Sequence, residues 1–237
     1  MTAALEQLGG KAAALLLDFD GPVCSIFAGY PAPIVARVLV QVLIAQRAEF
    51  AGDLDDEQDP LEVLRLTGAL ADASLTEMIE DALVAAELRA VGSAEPTSYA
   101  REVIVAARQV GLPLAVVSNN SSQAVEAYLR AHRLDRHVRL VVGRAYAAPT
   151  RMKPNPAPIL QAARALGVEP DLCVLLGDSL SDIEGAKAAG TRVIGFANRP
   201  AKKQAFEQAG ADWVVTSMRE VAQALVGLDV ASGDHVS

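Results

Sequence analysis

Cysteine is scarce in this chain, and the two that exist, Cys24 and Cys173, lie far apart in the sequence. They form neither a paired metal-ligand spacing nor a disulfide framework, which points to a reducing compartment and away from thiol nucleophiles. Aromatic residues are also few, at 4% against 51% apolar overall, so the core must be assembled from Ala, Val, Leu and Ile. That composition suits helices layered on a parallel sheet. Long apolar runs are missing: Ile34 to Ala45 is broken by Arg37 and Gln41 and falls short of the roughly 20 residues that span a bilayer. At the N-terminus Glu6 precedes a short apolar run, Ala12 to Leu17, that Asp18 stops, which makes no convincing secretory signal. A cytoplasmic protein with no membrane partner is expected. Positive charge is short as well. A net charge of −8 argues against nucleic-acid binding, and the basic stretch Arg199-Pro200-Ala201-Lys202-Lys203 reads as a solvated face.

What the chain does have is Leu15-Leu16-Leu17-Asp18-Phe19-Asp20-Gly21, a short apolar strand running into two acids and a glycine. In an extended segment Asp18 and Asp20 point the same way, roughly 7 Å apart, while Phe19 turns back into the core. Carboxylates at that spacing repel unless a positive charge joins them, and a hard divalent cation is the usual one. Gly21 lets the backbone turn sharply.

After Gly21 the pattern is helical for about seventy residues, too long for a simple crossover. Helices are expected over Pro33 to Phe50, with Ile34, Val38, Val42 and Ala45 on one face, from the Asp59-Pro60-Leu61-Glu62 capping box to Leu70, and from the Ser74-Leu75-Thr76-Glu77 box to near Gly92. The last carries Met78, Ile79, Ala82, Leu83 and Ala86 on its apolar side. From Pro96 helix and strand alternate, with strands at Leu114 to Val117, Arg139 to Val142, Cys173 to Leu176, Arg192 to Phe196 and Trp213 to Val215. That rhythm predicts an α/β fold, a doubly wound parallel sheet. Residues 1–22 and 96–227 are expected to form a Rossmann-like core, residues 23–95 an inserted α-helical cap, and the polar residues 228–237 a frayed tail.

In such sheets ligands bind at the carboxyl ends of the strands. Several of those ends are polar here: Asp18 and Asp20, then Ser118, Asn119 and Asn120, then Gly177, Asp178, Ser179 and Asp182, with Lys153 in a loop between. Phosphoryl transfer is the chemistry this set supports, because it needs positioning and charge neutralisation more than covalent machinery. Asp18 would attack phosphorus to give an aspartyl-phosphate; Asp20 would protonate the leaving oxygen and then deprotonate the attacking water. Asp178 would complete a magnesium site with Asp18, and Ser118 and Lys153 would meet the phosphoryl oxygens. Asp182, at the start of a Ser181-Asp182-Ile183-Glu184 capping box, would order Lys153 or a metal-bound water.

These stations make the sequence resemble the haloacid dehalogenase-like hydrolase superfamily, whose four motifs match Asp18-Phe19-Asp20-Gly21, Ser118-Asn119, Lys153 and Gly177-Asp178-Ser179-Leu180-Ser181-Asp182. The resemblance covers nearly the whole chain. It implies a Rossmann-like core with a helical cap between the first two motifs, magnesium dependence, the roles just given, a metal ligand in the Asp20 backbone carbonyl, and Asn119 beside Ser118 at the phosphate. The long motif around Asp178 and the cap position are similar to the phosphoglycolate phosphatase branch. Relatives commonly have Thr and Leu after the motif glycine and then an Asp-Ser pair, where this chain reads Pro22-Val23-Cys24-Ser25-Ile26. True dehalogenases carry a tyrosine in place of the second acid, so Asp20 argues against a halide substrate. A phosphatase for a small phosphorylated metabolite, monomeric or homodimeric, is the function expected, with Tyr30, Arg37, Arg47 and Arg65 of the cap available to choose the substrate. A sugar-phosphate mutase and a non-catalytic binding protein are the alternatives.

Overall fold

Four consecutive apolar residues with no glycine or proline among them, Ala14–Leu17, make the first strand, β1, buried on both faces. The structure, a computed structural model, describes residues 12–46, 54 and 56–233. After β1 the chain turns and runs as β2 (Cys24–Ser25) into three helices, α1 (Ala32–Ala45), α2 (Pro60–Ala69) and α3 (Ala73–Val91). It returns as β3 (Glu95–Pro96), antiparallel to β2, so both passages between core and insertion lie side by side in one short ribbon. Thr97 Oγ1 donates to the Gly21 carbonyl at 2.5 Å and ties the ribbon to the first strand end.

The remaining chain alternates: α4 (Ala100–Gln109), β4 (Leu114–Val117), α5 (Ser122–Ala131), β5 (Leu140–Val142), α6 (Ala157–Leu166), β6 (Cys173–Gly177), α7 (Leu180–Ala189), β7 (Arg192–Phe196), α8 (Pro200–Gln208), β8 (Trp213–Val215) and α9 (Met218–Gly233). Six parallel strands pair in the order β5-β4-β1-β6-β7-β8. Alternation along the strands divides the core into two layers. Leu15, Leu17, Val116 and Leu176 pack with Ile104, Val125 and Val221 of α4, α5 and α9. Leu16, Val117 and Leu175 pack with Ile159 and Ile183 of α6 and α7. The cap has its own core of Val35, Leu39, Leu43, Leu64, Ile79 and Leu83.

Several local expectations are displaced. On α1 the buried face is Val35, Ala36, Leu39, Val40 and Leu43, while Ile34 and Val38 are exposed, because a helix that is apolar nearly all round does not reveal its inner side. The N-cap of α3 is Asp72, which accepts from the Leu75 amide, and not Ser74. The basic stretch from Arg199 to Lys203, expected as a solvated face, opens helix α8 and is exposed except at Lys202, which is half-buried. Helix α9 continues to Gly233, beyond the point where fraying was expected, and residues 234–237 lie outside the described residues.

Candidate active site

Pairing register brings the stations together. Leu17 is opposite both Val116 of β4 and Leu176 of β6, so β1, β4 and β6 end at one level. The residues that follow, Asp18, Ser118 and Asp178, therefore share one edge of the sheet.

Asp18 Oδ1 accepts from the Phe19 amide at 2.8 Å and lies 2.8 Å from Lys153 Nζ. Phe19 is fully buried, edge-on to Tyr128 with ring centroids 5.2 Å apart. Asp20 Oδ1 accepts from the Ile26 amide at 3.0 Å across the turn that Gly21 begins. Gly21 has φ of +102°, and a Cβ there would fall 2.3 Å from Asp178 Cγ. The same rule applies on the other side of the site, where a Cβ on Gly177 would meet Asp182 Cγ at 2.3 Å. Both glycines thus leave room for a carboxylate against bare backbone.

Lys153 is 1% exposed and donates to three oxygens: the Val117 carbonyl at 2.9 Å, Asp182 Oδ1 at 2.5 Å and Asp18 Oδ1. Burial works against its charge, but Asp18 and Asp182 outweigh it and hold the ammonium protonated well above the usual lysine range. Asp18 is pushed the other way. Burial, and then Asp182, raise its carboxyl well above the ordinary value despite Lys153. Burial raises Asp20 to about 6, with the Ile26 amide opposing and Asp178 adding.

Asp182 is committed locally: Oδ2 accepts from Ser179 N at 3.1 Å and Ser179 Oγ at 2.6 Å, while Ser179 Oγ caps α7 through the Asp182 amide. This Ser179/Asp182 capping box replaces the one expected from Ser181. Ser118 is buried; its Oγ accepts from the Asn120 amide at 3.0 Å and donates to Asn120 Oδ1 at 3.2 Å. Asn119 turns its side chain to Lys153, accepting from its amide at 2.9 Å and donating to its carbonyl at 3.1 Å, so this residue orients the lysine loop.

Carboxylate oxygens of Asp18, Asp178 and Asp182 come within 4.8 Å of one another. With Asp182 spent on Lys153 and Ser179, Asp18 and Asp178 are the donors left for a cation. An all-oxygen pair of this kind fits a hard divalent cation.

Asp178 also has partners that sequence reasoning missed. Its Oδ2 accepts from Lys202 Nζ at 2.7 Å and Asn198 Nδ2 at 2.9 Å. Both follow β7, another strand of the same sheet, so the polar residues beyond its carboxyl end are the signal that could have found them. Glu80 and Glu87 of α3, which form buried ion pairs with Arg144 just beyond β5, carry no such signal, and neither does Arg144. Of the cap residues expected to choose the substrate, Arg65 comes to the loop that carries Lys153, its Nη2 3.5 Å from the Lys153 carbonyl. Tyr30 lies under the Arg89 guanidinium at 4.5 Å, Arg37 is exposed, and Arg47 is outside the described residues. Cys24 and Cys173 are both free and buried; burial raises both thiols, Cys173 to about 11, which suits packing and not attack.

A doubly wound parallel sheet with a helical insertion after its first strand, and acids and a buried lysine at its carboxyl edge, defines a Rossmann-like hydrolase core. The chain belongs to the haloacid dehalogenase-like hydrolase family, whose profile matches residues 12–190. Among curated proteins it is similar to phosphoglycolate phosphatase of Neisseria meningitidis, 31% identical over 121 residues, 50% of this chain and 51% of that one. It is 28% identical over 127 residues to phosphoglycolate phosphatase of Escherichia coli K12, covering 54% of this chain and 50% of that one. The chain thus spans about half the length of the curated relatives it matches. Among solved structures, a predicted phosphatase from Clostridium acetobutylicum superposes with a TM-score of 0.69 at 16% identity, covering 91% of this chain and 99% of that one. CbbY from Rhodobacter sphaeroides in complex with phosphate does so with a TM-score of 0.65 at 24% identity, covering 92% and 99%. At these identities the likeness concerns the fold.

Proposed function

We propose that this protein is a magnesium-dependent phosphatase that hydrolyses a small phosphorylated metabolite through an aspartyl-phosphate on Asp18. One observation carries the reading: the Asp18 carboxylate, 8% exposed, shares the Lys153 ammonium with Asp182 and stands within metal-bridging distance of Asp178. A dianionic phosphoryl group entering here meets the lysine, the Ser118 hydroxyl and whatever cation the acids hold. Asp18, Asp178 and the Asp20 main-chain carbonyl would hold magnesium, which supplies positive charge to the phosphoryl oxygens.

A free Asp18 oxygen forms the new bond to phosphorus as the bond from phosphorus to the ester oxygen breaks. Asp20, whose carboxyl is pushed up to about 6 by burial, gives its proton to that leaving oxygen. The resulting Asp20 carboxylate then takes a proton from water, whose oxygen attacks phosphorus and releases inorganic phosphate and the Asp18 carboxylate. Phosphoglycolate phosphatases among the relatives support the phosphate-ester class. A cytoplasmic location and a monomer or homodimer belong to the same reading; no helix among the described residues is long and apolar enough to cross a membrane. The test is a phosphate-release screen across many phosphorylated metabolites with magnesium and with chelator. Magnesium-dependent turnover of one or a few is expected, and no release from any ester would overturn the proposal.

A further inference from the structure

A buried ionic clasp joins the cap to the second strand end. Glu80 and Glu87 are two helical turns apart on α3 and so share a face. Arg144, just beyond β5 and 7% exposed, reaches both. Its Nε donates to Glu80 Oε1 and Oε2 at 2.9 and 3.0 Å, and its Nη1 donates to Glu87 Oε1 at 2.8 Å and to the Asn119 carbonyl at 2.7 Å. Two buried carboxylates and one guanidinium leave a negative charge that further hydrogen bonds must offset. Glu80 has only Arg144 as a hydrogen-bond partner among the described residues. Glu87 has more: it accepts from Asn120 Nδ2 at 3.2 Å and from the Ser121 amide at 2.9 Å. Asn120 in turn brackets the Ser118 hydroxyl through its amide and its Oδ1. A relay therefore runs from a cap carboxylate to Ser118, and a second runs from Arg144 through Asn119 to the main chain of Lys153.

We propose that Glu87 and Arg144 are positioning residues for phosphate recognition: the cap helix α3, through Glu87, holds Ser118 and the Asn119 backbone in the geometry that receives the phosphoryl oxygens. The inference rests on the phosphatase reading. An ion pair that only fastened the cap would be served equally by Glu80 and Glu87, and the unequal partners of the two distinguish the roles. Groups that receive a substrate need this kind of support, since small misplacements are costly.

The experiment uses inorganic phosphate as the probe, on the full-length, magnesium-loaded protein. Its inhibition constant is measured for wild type, Glu80→Gln, Glu87→Gln and Arg144→Lys, together with kcat and KM for an aryl phosphate and the melting temperature. Glu87→Gln and Arg144→Lys are expected to weaken phosphate at least tenfold, with KM rising in step and kcat changing less. Glu80→Gln should weaken it less than threefold while lowering the melting temperature to a comparable degree. Asn120→Ala cuts the relay to Ser118 while leaving both ion pairs of Arg144 in place, and should reproduce the Glu87→Gln loss even if that variant folds poorly. Phosphate affinity unchanged in Glu87→Gln and Asn120→Ala, or lost equally in Glu80→Gln, would overturn the inference. A wild-type protein that neither turns over nor binds phosphate would instead defeat the phosphatase reading.

Discussion

Asp18 is asked to be an anion in a place that disfavours one, and that tension is chemically useful only while positive charge is supplied from outside. Asp18→Asn keeps the shape and removes the proposed nucleophile, so single-turnover assays should find hydrolysis reduced by several powers of ten; a variant retaining a tenth of wild-type rate would refute the covalent step. Asp20 makes a different prediction, about stability. Its folded-state value of about 6 lies above the unfolded value near 4. The folded chain therefore binds more protons between those limits, and stability falls as pH rises through that window, by about 3 kcal/mol at most. Asn in place of Asp20 keeps an acceptor for the Ile26 amide and carries no charge. Without metal, Asp20→Asn should melt above wild type at pH 8, and the difference should vanish toward pH 4; an equal or lower melting temperature at pH 8 would show that burial of this carboxylate costs nothing. Activity and stability should thus move in opposite directions at one residue.

Helix α7 illustrates how an element can be right while its controlling residue is misread. Ser179, not Ser181, closes its first turn, and the same hydroxyl fixes Asp182. Ser179→Ala should cost about 1 kcal/mol as a lost N-cap, read as a drop in denaturation midpoint, and should lower kcat because Asp182 then holds Lys153 less firmly. A stability loss with unchanged kcat would separate the two. All six strands of the sheet are legible in the sequence as short, largely apolar runs, and the inner ones, buried on both faces, must turn polar where they end at the sheet edge. The three strand-end stations are legible for the same reason, because parallel strands in register bring their ends together, whereas Lys153 arrives from a loop well beyond β5. The Glu80–Arg144–Glu87 clasp is not: its members stand 57 and 64 residues apart, and a glutamate on a helix reads as solvent-facing until its partner is known. Lys202 is hidden in a basic run whose neighbour Lys203 is exposed. Faces, caps and distant ion pairs are tertiary facts.

Across the whole molecule, acids outnumber bases and several of the excess charges converge on one sheet edge, so cation binding should be coupled to global stability. Magnesium at a hundredfold its dissociation constant should stabilise by about 2.7 kcal/mol, seen as a rise in melting temperature that chelator reverses and that Asp178→Asn largely abolishes. Activity should disappear and return in parallel. The hydrogen-bonded ribbon of β2 and β3 bears on inheritance as much as on mechanics. Because the chain leaves and re-enters the core through adjacent strands, the helical insertion is a cassette with a single seam, the kind of segment that recombination can exchange without disturbing the sheet. Yet the last helix of that cassette carries Glu87. A transplanted cap that lacked a carboxylate at this position would join cleanly at the ribbon and still deliver an enzyme with a slack phosphate loop, so compatibility between caps and cores is decided away from the seam, on the inner face of α3.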